Sequence, residues 1–594
     1  MKTILPRTRK LVVIAQDPSV KGLNGKILTT EIEIPAEELS PGPRGYRVHV
    51  VDYDTSTDTF YSPQAYDPPD EGCYIDPFKE TVDEGRIDEL LADPGFHAQN
   101  VYAIVMRTLA RFEFALGRRV SWGFSGHQIY VAPHAFADAN AFYSEEDQAL
   151  AFGYFRVPTA DGDSAPIFSC LSHDVVAHET THALLDGLRE RYTAPSSPEQ
   201  AGFHEGFSDL VAILSVFSLK DVVRSILLGW DKEGERRAPI ESNRIPVDFL
   251  TEDNLKNSVL LGLAEEMGSE MSGVRGSALR RSVKLEPLKT GQPRYLDTIA
   301  FNEPHKCGEL LVAAMMNVFL LVWRRRLEKY VENRTEVDVS VIVDEGAESA
   351  NHLLTMAIRA LDYMPPTDIR FPDYLSALLT SDREMVPDDS KYGYRDKLRD
   401  SFAAYGIKPP RKADDNGYWN TEEGKFRYDR THFDSLLQDP NEIFRFIWDN
   451  RFDLELESEQ EFFGKAYMKV QSVRPCMRVG PDGFTVRETV AEYIQMSTLR
   501  FDELGPLGIT GIKSDIPPET EITLYGGGTL IFDEYGQLKY HIRNSIFSRA
   551  NQPRRIDFLW KYGYINNPAF THNIFSRMHL NRVLSSVANF TEGF

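Results

Sequence analysis

The chain has 594 residues, 42% hydrophobic and 26% charged, with 89 acidic against 66 basic side chains and a net charge of −23. That balance argues against nucleic acid as the main partner, because phosphate binding needs a basic face. The length predicts several globular domains of roughly 100–200 residues each, and four scattered cysteines (Cys73, Cys170, Cys307, Cys476) without a CxxC pair exclude a disulfide scaffold and read as free thiols.

The first residues are basic but lack an apolar core and a cleavage site, so no secretory signal is read. No uncharged apolar run approaches the about 18 residues of a membrane span. The expected setting is the cytoplasm, with export by a non-standard route left open. Residues 1–83 are β-rich, with strand-like runs at Lys10–Ala15 and Tyr46–Val51 separated by Pro/Gly punctuation. The acidic, Pro-rich stretch Tyr66–Asp83 reads as a connector. From Phe96 to Arg119 the pattern is helical, with Val101, Ile104, Val105, Leu109 and Phe112 at helical spacing. Strands are expected at Gln128–Ala132 and Ala149–Arg156. The second is either an ordinary edge strand or one that receives an extended peptide.

The stretch Leu171–Gly187 contains His178-Glu179-Thr180-Thr181-His182, an HEXXH motif. Positions i and i+4 of a helix share a face, so both imidazoles can address one metal ion. Glu179, one position further round, is placed to take a proton from an activated water. Val175, Val176, Ala183 and Leu184 supply an apolar side, and Gly187 is the expected stop. The motif also occurs by chance, and two such histidines can be structural. After a loop at Tyr192–Gly202, a second helix is expected from Phe203. It carries Glu205 and Asp209, again i and i+4. Glu205 supplies the third protein ligand of a catalytic zinc, leaving a fourth position for water. Asp209 can accept the remaining N–H of a ligand histidine. His173 and His204 are expected to face away from the metal.

The segments DVVAHETTHA and HEGFSD resemble the thermolysin-like metallopeptidases, the gluzincins. The likeness spans about residues 85–410. Asn140-Ala141-Phe142-Tyr143 is similar to the substrate-binding edge strand of that family. Glu303-Pro304-His305 leading into Leu310–Trp323 is similar to its histidine-bearing helix. The resemblance implies an α+β fold whose core has a β-containing N-lobe (84–190) and a helical C-lobe (191–410). It also implies zinc-dependent peptide hydrolysis on a peptide or protein substrate, with one Zn2+ held by His178, His182 and Glu205. Glu179 is then the base, with Asp209 behind a ligand. His305 and Tyr192 stabilise the oxyanion, and Asn140 with the Ala141 backbone holds the peptide. Asp174 matches a calcium-binding aspartate of the family, but Val216 stands where a further acid is expected, so no calcium site is predicted. The charged stretch 231–282 is an insertion within the C-lobe, and it leaves open whether Arg275, Arg280 or Arg281 meets substrate. Residues 1–83 then form an accessory segment.

Residues 411–426 are polar and read as a linker to a C-terminal α+β domain (427–594) without assigned chemistry. That domain has a helix at Asp439–Asn450 and hairpins around Pro481-Asp482-Gly483 and Asp533–Gly536. Gly526-Gly527-Gly528 reads as a turn, and Phe558–Phe575 as core or interaction surface. Two rival functions stay open: a peptidase-fold protein, catalytically restricted or inactive, that binds a polypeptide partner, and a metal hydrolase for another substrate. The oligomeric state is not legible.

Overall fold

The computed structural model describes residues 6–18, 27–67, 69, 73–158, 164–194, 196–229, 243–256, 282, 284–456 and 466–565. Most of the 231–282 insertion, with Arg275, Arg280 and Arg281, and the end of the Phe558–Phe575 stretch lie outside these residues. The described residues form a mixed α+β fold.

Strands β1 (Thr8–Ile14) and β2 (Thr29–Pro35) form an antiparallel ribbon, with Leu11 opposite Ile32. Its buried face packs into the main core through Leu11, Val13, Ile32 and Ile34. Strand β3 (Val48–Val50) pairs in parallel with β4 (Ile129–Phe136). This pairing crosses the boundary expected at residue 83. β3 belongs to the same sheet as β4, β5 (Ala141–Ser144), β6 (Ala149–Pro158) and β7 (Ser164–Phe168), in the order β3-β4-β6-β5 with β7 also on β6. Within that sheet β6 is paired on both sides, to β4 and to β5. Its backbone is spent in the ladder, and the strands at the two ends of that order are β3 and β5.

Helix α1 (Pro94–Leu116) starts where the Asp93 carboxylate accepts from the N–H groups of Gly95 and Phe96, with Pro94 at the first turn. It ends at Gly117, whose φ of 67° is the left-handed geometry of a C-cap. Ile14 N–H donates to Asn100 on α1 (2.9 Å) and Gln99 donates to Val12 O (3.0 Å), which fastens β1 to the helix.

The helical part contains α2 (His173–Leu188), α3 (Pro198–Phe217), α4 (Pro304–Val331), α5 (Val339–Arg359), α6 (Phe371–Met385) and α7 (Tyr394–Ala404). Helix α3 begins five residues earlier than expected. Ser197 accepts from the Gln200 N–H, and Pro198 fits the first turn, where no N–H is needed. Among the described residues, helix α4 is the one long and apolar enough to cross a membrane when up to two charged residues are allowed in the window. By length and composition it passes that test, but 83% of its apolar 18-residue window is buried inside the protein. A helix surrounded by other helices is apolar all round for the same reason a span is.

Beyond α8 (Pro440–Asp449), strands β8 (Tyr467–Val479), β9 (Thr485–Arg500), β10 (Glu521–Phe532) and β11 (Leu538–Asn544) make an antiparallel sheet in chain order. Gly526–Gly528 are not a turn but the middle of β10. A Cβ at Gly526 would lie 2.4 Å from Ile546 N, and one at Gly527 would lie 2.3 Å from Tyr493 O. The close crossing, not chain reversal, requires glycine there. Ile531, Tyr540 and Ile542 of this sheet join the main core. Residues 411–426 also pack against it. Trp419 is 4% exposed, and its indole N–H donates to Tyr363 O (2.8 Å).

Candidate metal centre

Helix α2 carries the HEXXH residues in a buried environment. Asp174 in its first turn complements the helix dipole and accepts from Ser172 Oγ (2.8 Å). The motif's two threonines are satisfied within the helix: Thr180 Oγ1 donates to Val176 O (2.6 Å) and Thr181 Oγ1 to Ala177 O (2.7 Å). Gly187 is not the stop, since the helix continues through Leu188. Its role is clearance, because a Cβ there would meet Ser121 O at 1.9 Å.

Helix α3 crosses α2 and delivers the carboxylate. Glu205 Oε2 lies 3.7 Å from His178 Nε2, and Glu205 Oε1 lies 3.9 Å from His182 Nε2. Four donors at about 2.0 Å from a tetrahedral ion stand about 3.3 Å apart. These separations close on such an ion with small side-chain shifts. Donor atoms of His178, Glu179 and His182 all lie within 4.8 Å of one another. Two imidazole nitrogens and one carboxylate could hold a metal ion, and the set is the kind that leaves a coordination position open.

The far side of each ring is also set by α3. His178 Nδ1 lies 2.9 Å from Asp209 Oδ1, within hydrogen-bond reach, as the i, i+4 pair with Glu205 led one to expect. His204 lies behind His182, on the side turned from the Glu205 carboxylate: its Nδ1 is 2.7 Å from His182 Nδ1, and the two rings stack with centroids 4.8 Å apart. Ser208 Oγ sits 3.2 Å from the same His182 nitrogen. Helix α3 thus presents two adjacent i, i+4 pairs: Glu205/Asp209 towards His178 and His204/Ser208 towards His182. The second pair was present in the sequence as a signal.

His305 enters from the first turn of α4. Its Nε2 is 3.6 Å from Glu205 Oε2, and its Nδ1 is 2.8 Å from Glu303 Oε1. Glu303 is the N-cap of α4 and also accepts from the N–H groups of His305 and Lys306. Burial pushes its carboxyl up, but these bonds prevail and hold it below the usual range.

The approach of α4 to α3 depends on glycine. A Cβ on Gly206 would lie 2.7 Å from Gly308 O, and one on Gly308 would lie 2.8 Å from Gly206 N. Gly206→Ala is therefore expected to force α4 outwards, at a cost of about 1–3 kcal/mol. The readout is a lower urea midpoint, accompanied by a larger fall in any activity that uses His305. Gly505→Ala, where a Cβ meets nothing within 4 Å, is the control and should change neither.

Three other sites of interest resolve as follows. Tyr192 is committed to the fold: its hydroxyl donates to Pro365 O (3.0 Å) and its ring packs edge-on against Phe203. The oxyanion role expected of Tyr192 would require breaking this buried bond. Asn140 and Ala141 do stand at the edge strand β5, with the Asn140 carboxamide oxygen accepting from the Ala141 N–H (2.9 Å). His173 is buried, its backbone N–H donates to Gln16 O (2.7 Å), and burial pushes its imidazole down to about 3. No known protein-family profile matches the chain, and no curated protein matches it.

Proposed function

We propose that the chain is a zinc-dependent peptide hydrolase on a thermolysin-like core, with a β-containing lobe and a helical lobe meeting at α2. The observation that carries this reading is the convergence of His178 Nε2, His182 Nε2 and the Glu205 carboxylate, with Glu179 beside them. Zinc held by those three residues would supply a Lewis acid and lower the pKa of a bound water to about 7. Asp209 and His204 set the ring orientations, so that both Nε2 atoms point at one place. Glu179 takes a proton from the attacking water on its carboxylate and returns it to the amine nitrogen that leaves. His305 holds the developing oxyanion through Nε2–H. Donation from Nε2 while Nδ1–H stays on Glu303 needs hydrogen on both ring nitrogens, and the Glu303 carboxylate is the counter-charge for that form.

The test is cleavage of an unstructured protein by the purified chain. Cleavage should stop with a chelator and return with zinc, and His182→Ala should bind one equivalent of zinc less than the parent. Turnover indifferent to the chelator would overturn the reading. The burial of Glu179, 1% exposed, favours one second reading, a peptidase-fold protein restricted to a particular polypeptide. Bound zinc without cleavage of an unstructured protein is the result that would select it.

A further inference from the structure

Away from that centre, three more donors converge in the β-containing half. His97 lies on α1, His134 on β4, and Cys170 in the turn Ser169–Leu171 that leads into α2. They are 1%, 2% and 0% exposed, and one ligand atom from each lies within 4.8 Å of the others.

The hydrogen-bond accounting of the two rings is unusual. His97 Nδ1 is 2.8 Å from His134 Nε2. The far nitrogens both meet acceptors: His97 Nε2 is 3.0 Å from Leu91 O, and His134 Nδ1 is 2.8 and 3.0 Å from the two Asp52 carboxylate oxygens. Each far nitrogen must carry a hydrogen to serve those acceptors, and a neutral imidazole has only one. Two neutral rings would then aim lone pairs at each other, which is repulsive at this distance. A positive charge belongs between them, either a proton or a metal ion. A carbonyl and a carboxylate on the far nitrogens are the partners that orient metal-ligating histidines. Cys170 is a third donor for which a proton bridge has no use.

We propose that His97, His134 and Cys170 form a second metal site that takes Zn2+, with Cys170 as thiolate. Charge selects the ion. Zn2+ and one thiolate sum to +1, and the Asp52 carboxylate bonded to His134 cancels it. A monovalent soft ion such as Cu+ would leave a buried net charge of −1, which is costly. On binding, the Sγ–H bond of Cys170 breaks, its proton and any proton shared by the rings pass to solvent, and the thiolate electron pair goes to zinc. The two ring nitrogens open from 2.8 Å to about 3.3 Å to accommodate the ion. The site ties the sheet, α1 and the entry to α2 into one frame, and so supports the helix that carries His178 without depending on what that helix does.

The full-length chain loaded with Co2+ tests the site. His178, His182 and Glu205 include no sulfur, so only the proposed site gives a thiolate-to-cobalt charge-transfer band in the near ultraviolet. The band should appear in the parent, persist in His182→Ala and vanish in Cys170→Ser. Zinc content should fall from two equivalents to one in either variant. His97→Gln should also lose the band, and it serves if Cys170→Ser does not fold. Absence of the band in the parent, its survival in Cys170→Ser, or a single zinc equivalent that His182→Ala abolishes would each leave a proton only between the rings and overturn the proposal. Preferential retention of Cu+ in competition with Zn2+ would overturn the divalent assignment.

Discussion

Glu179→Gln is expected to keep its zinc and lose peptide cleavage, with kcat falling by about a hundred- to ten-thousand-fold. The substitution preserves shape and hydrogen-bonding capacity in a buried position, so packing in α2 should survive. It removes the one property the mechanism needs there, a carboxylate that can hold a proton. The metal should stay, because the ligands proposed for it are His178, His182 and Glu205, with Glu179 beside them as the base. KM should move little, since the lost interaction belongs to the transition state. Measuring kcat on an unstructured protein together with bound zinc separates this from His182→Ala, which should lose both. Undiminished turnover by the Gln variant would remove Glu179 from the mechanism.

The core of the site was legible because it is local. A pair at i, i+4 on a helix has one face to share, so HEXXH and the Glu205/Asp209 pair could be read without knowing any other part of the chain. The packing of His204 on His182 was not legible, for the opposite reason. Adjacent residues on a helix diverge by about 100°, and which of them meets α2 depends on the crossing of the two helices. Tyr192 shows the limit of analogy: its residue type suits an oxyanion, but the packing of Pro365 and Phe203 decides where its hydroxyl goes. In the fold, period-2 and period-3.6 patterns found the main strands and helices, whereas their partners stayed hidden. β3 joins a strand some 80 residues later, as Val48 pairs with Ile129, and nothing within a short window records that. Gly526–Gly528 read as punctuation because glycine marks both turns and close crossings, and only the neighbour, here Ile546, tells them apart.

Asp362→Asn is expected to lower the stability of the whole assembly by about 3–5 kcal/mol, the cost of stripping one partner from a buried ion pair. Asp362 lies between α5 and α6 and takes two guanidinium groups. Arg118, just past α1, donates to it through Nη1 (2.5 Å) and Nη2 (2.7 Å), and Arg478 of β8 reaches it from the C-terminal sheet. Arg478 in turn pairs with Glu488, which also accepts from Tyr363 (2.8 Å) and Lys539 (2.9 Å). One carboxylate therefore joins the first helix, the helical part and the C-terminal sheet, and its loss takes from the buried Arg118 and Arg478 the partner they share, leaving Arg478 with Glu488 alone. Burial alone would push the Asp362 carboxyl up, but Arg118 and Arg478 overcome it and hold the group well below its ordinary range. A depressed carboxyl stabilises the folded state fully above the unfolded value of about 3.9. That contribution declines as pH falls below this value and is gone once Asp362 itself protonates in the folded chain. The parent should thus lose stability on acidification below about pH 4 more steeply than the Asn variant does, because the variant has already lost this linkage. Urea midpoints at neutral and acidic pH read both effects, with Lys79→Ala in an exposed i, i+4 pair as the control expected to show neither. Equal midpoints for parent and Asp362→Asn at neutral pH would mean that the apolar contacts of Ile531, Tyr540 and Ile542 hold the C-terminal sheet in place without the ion network.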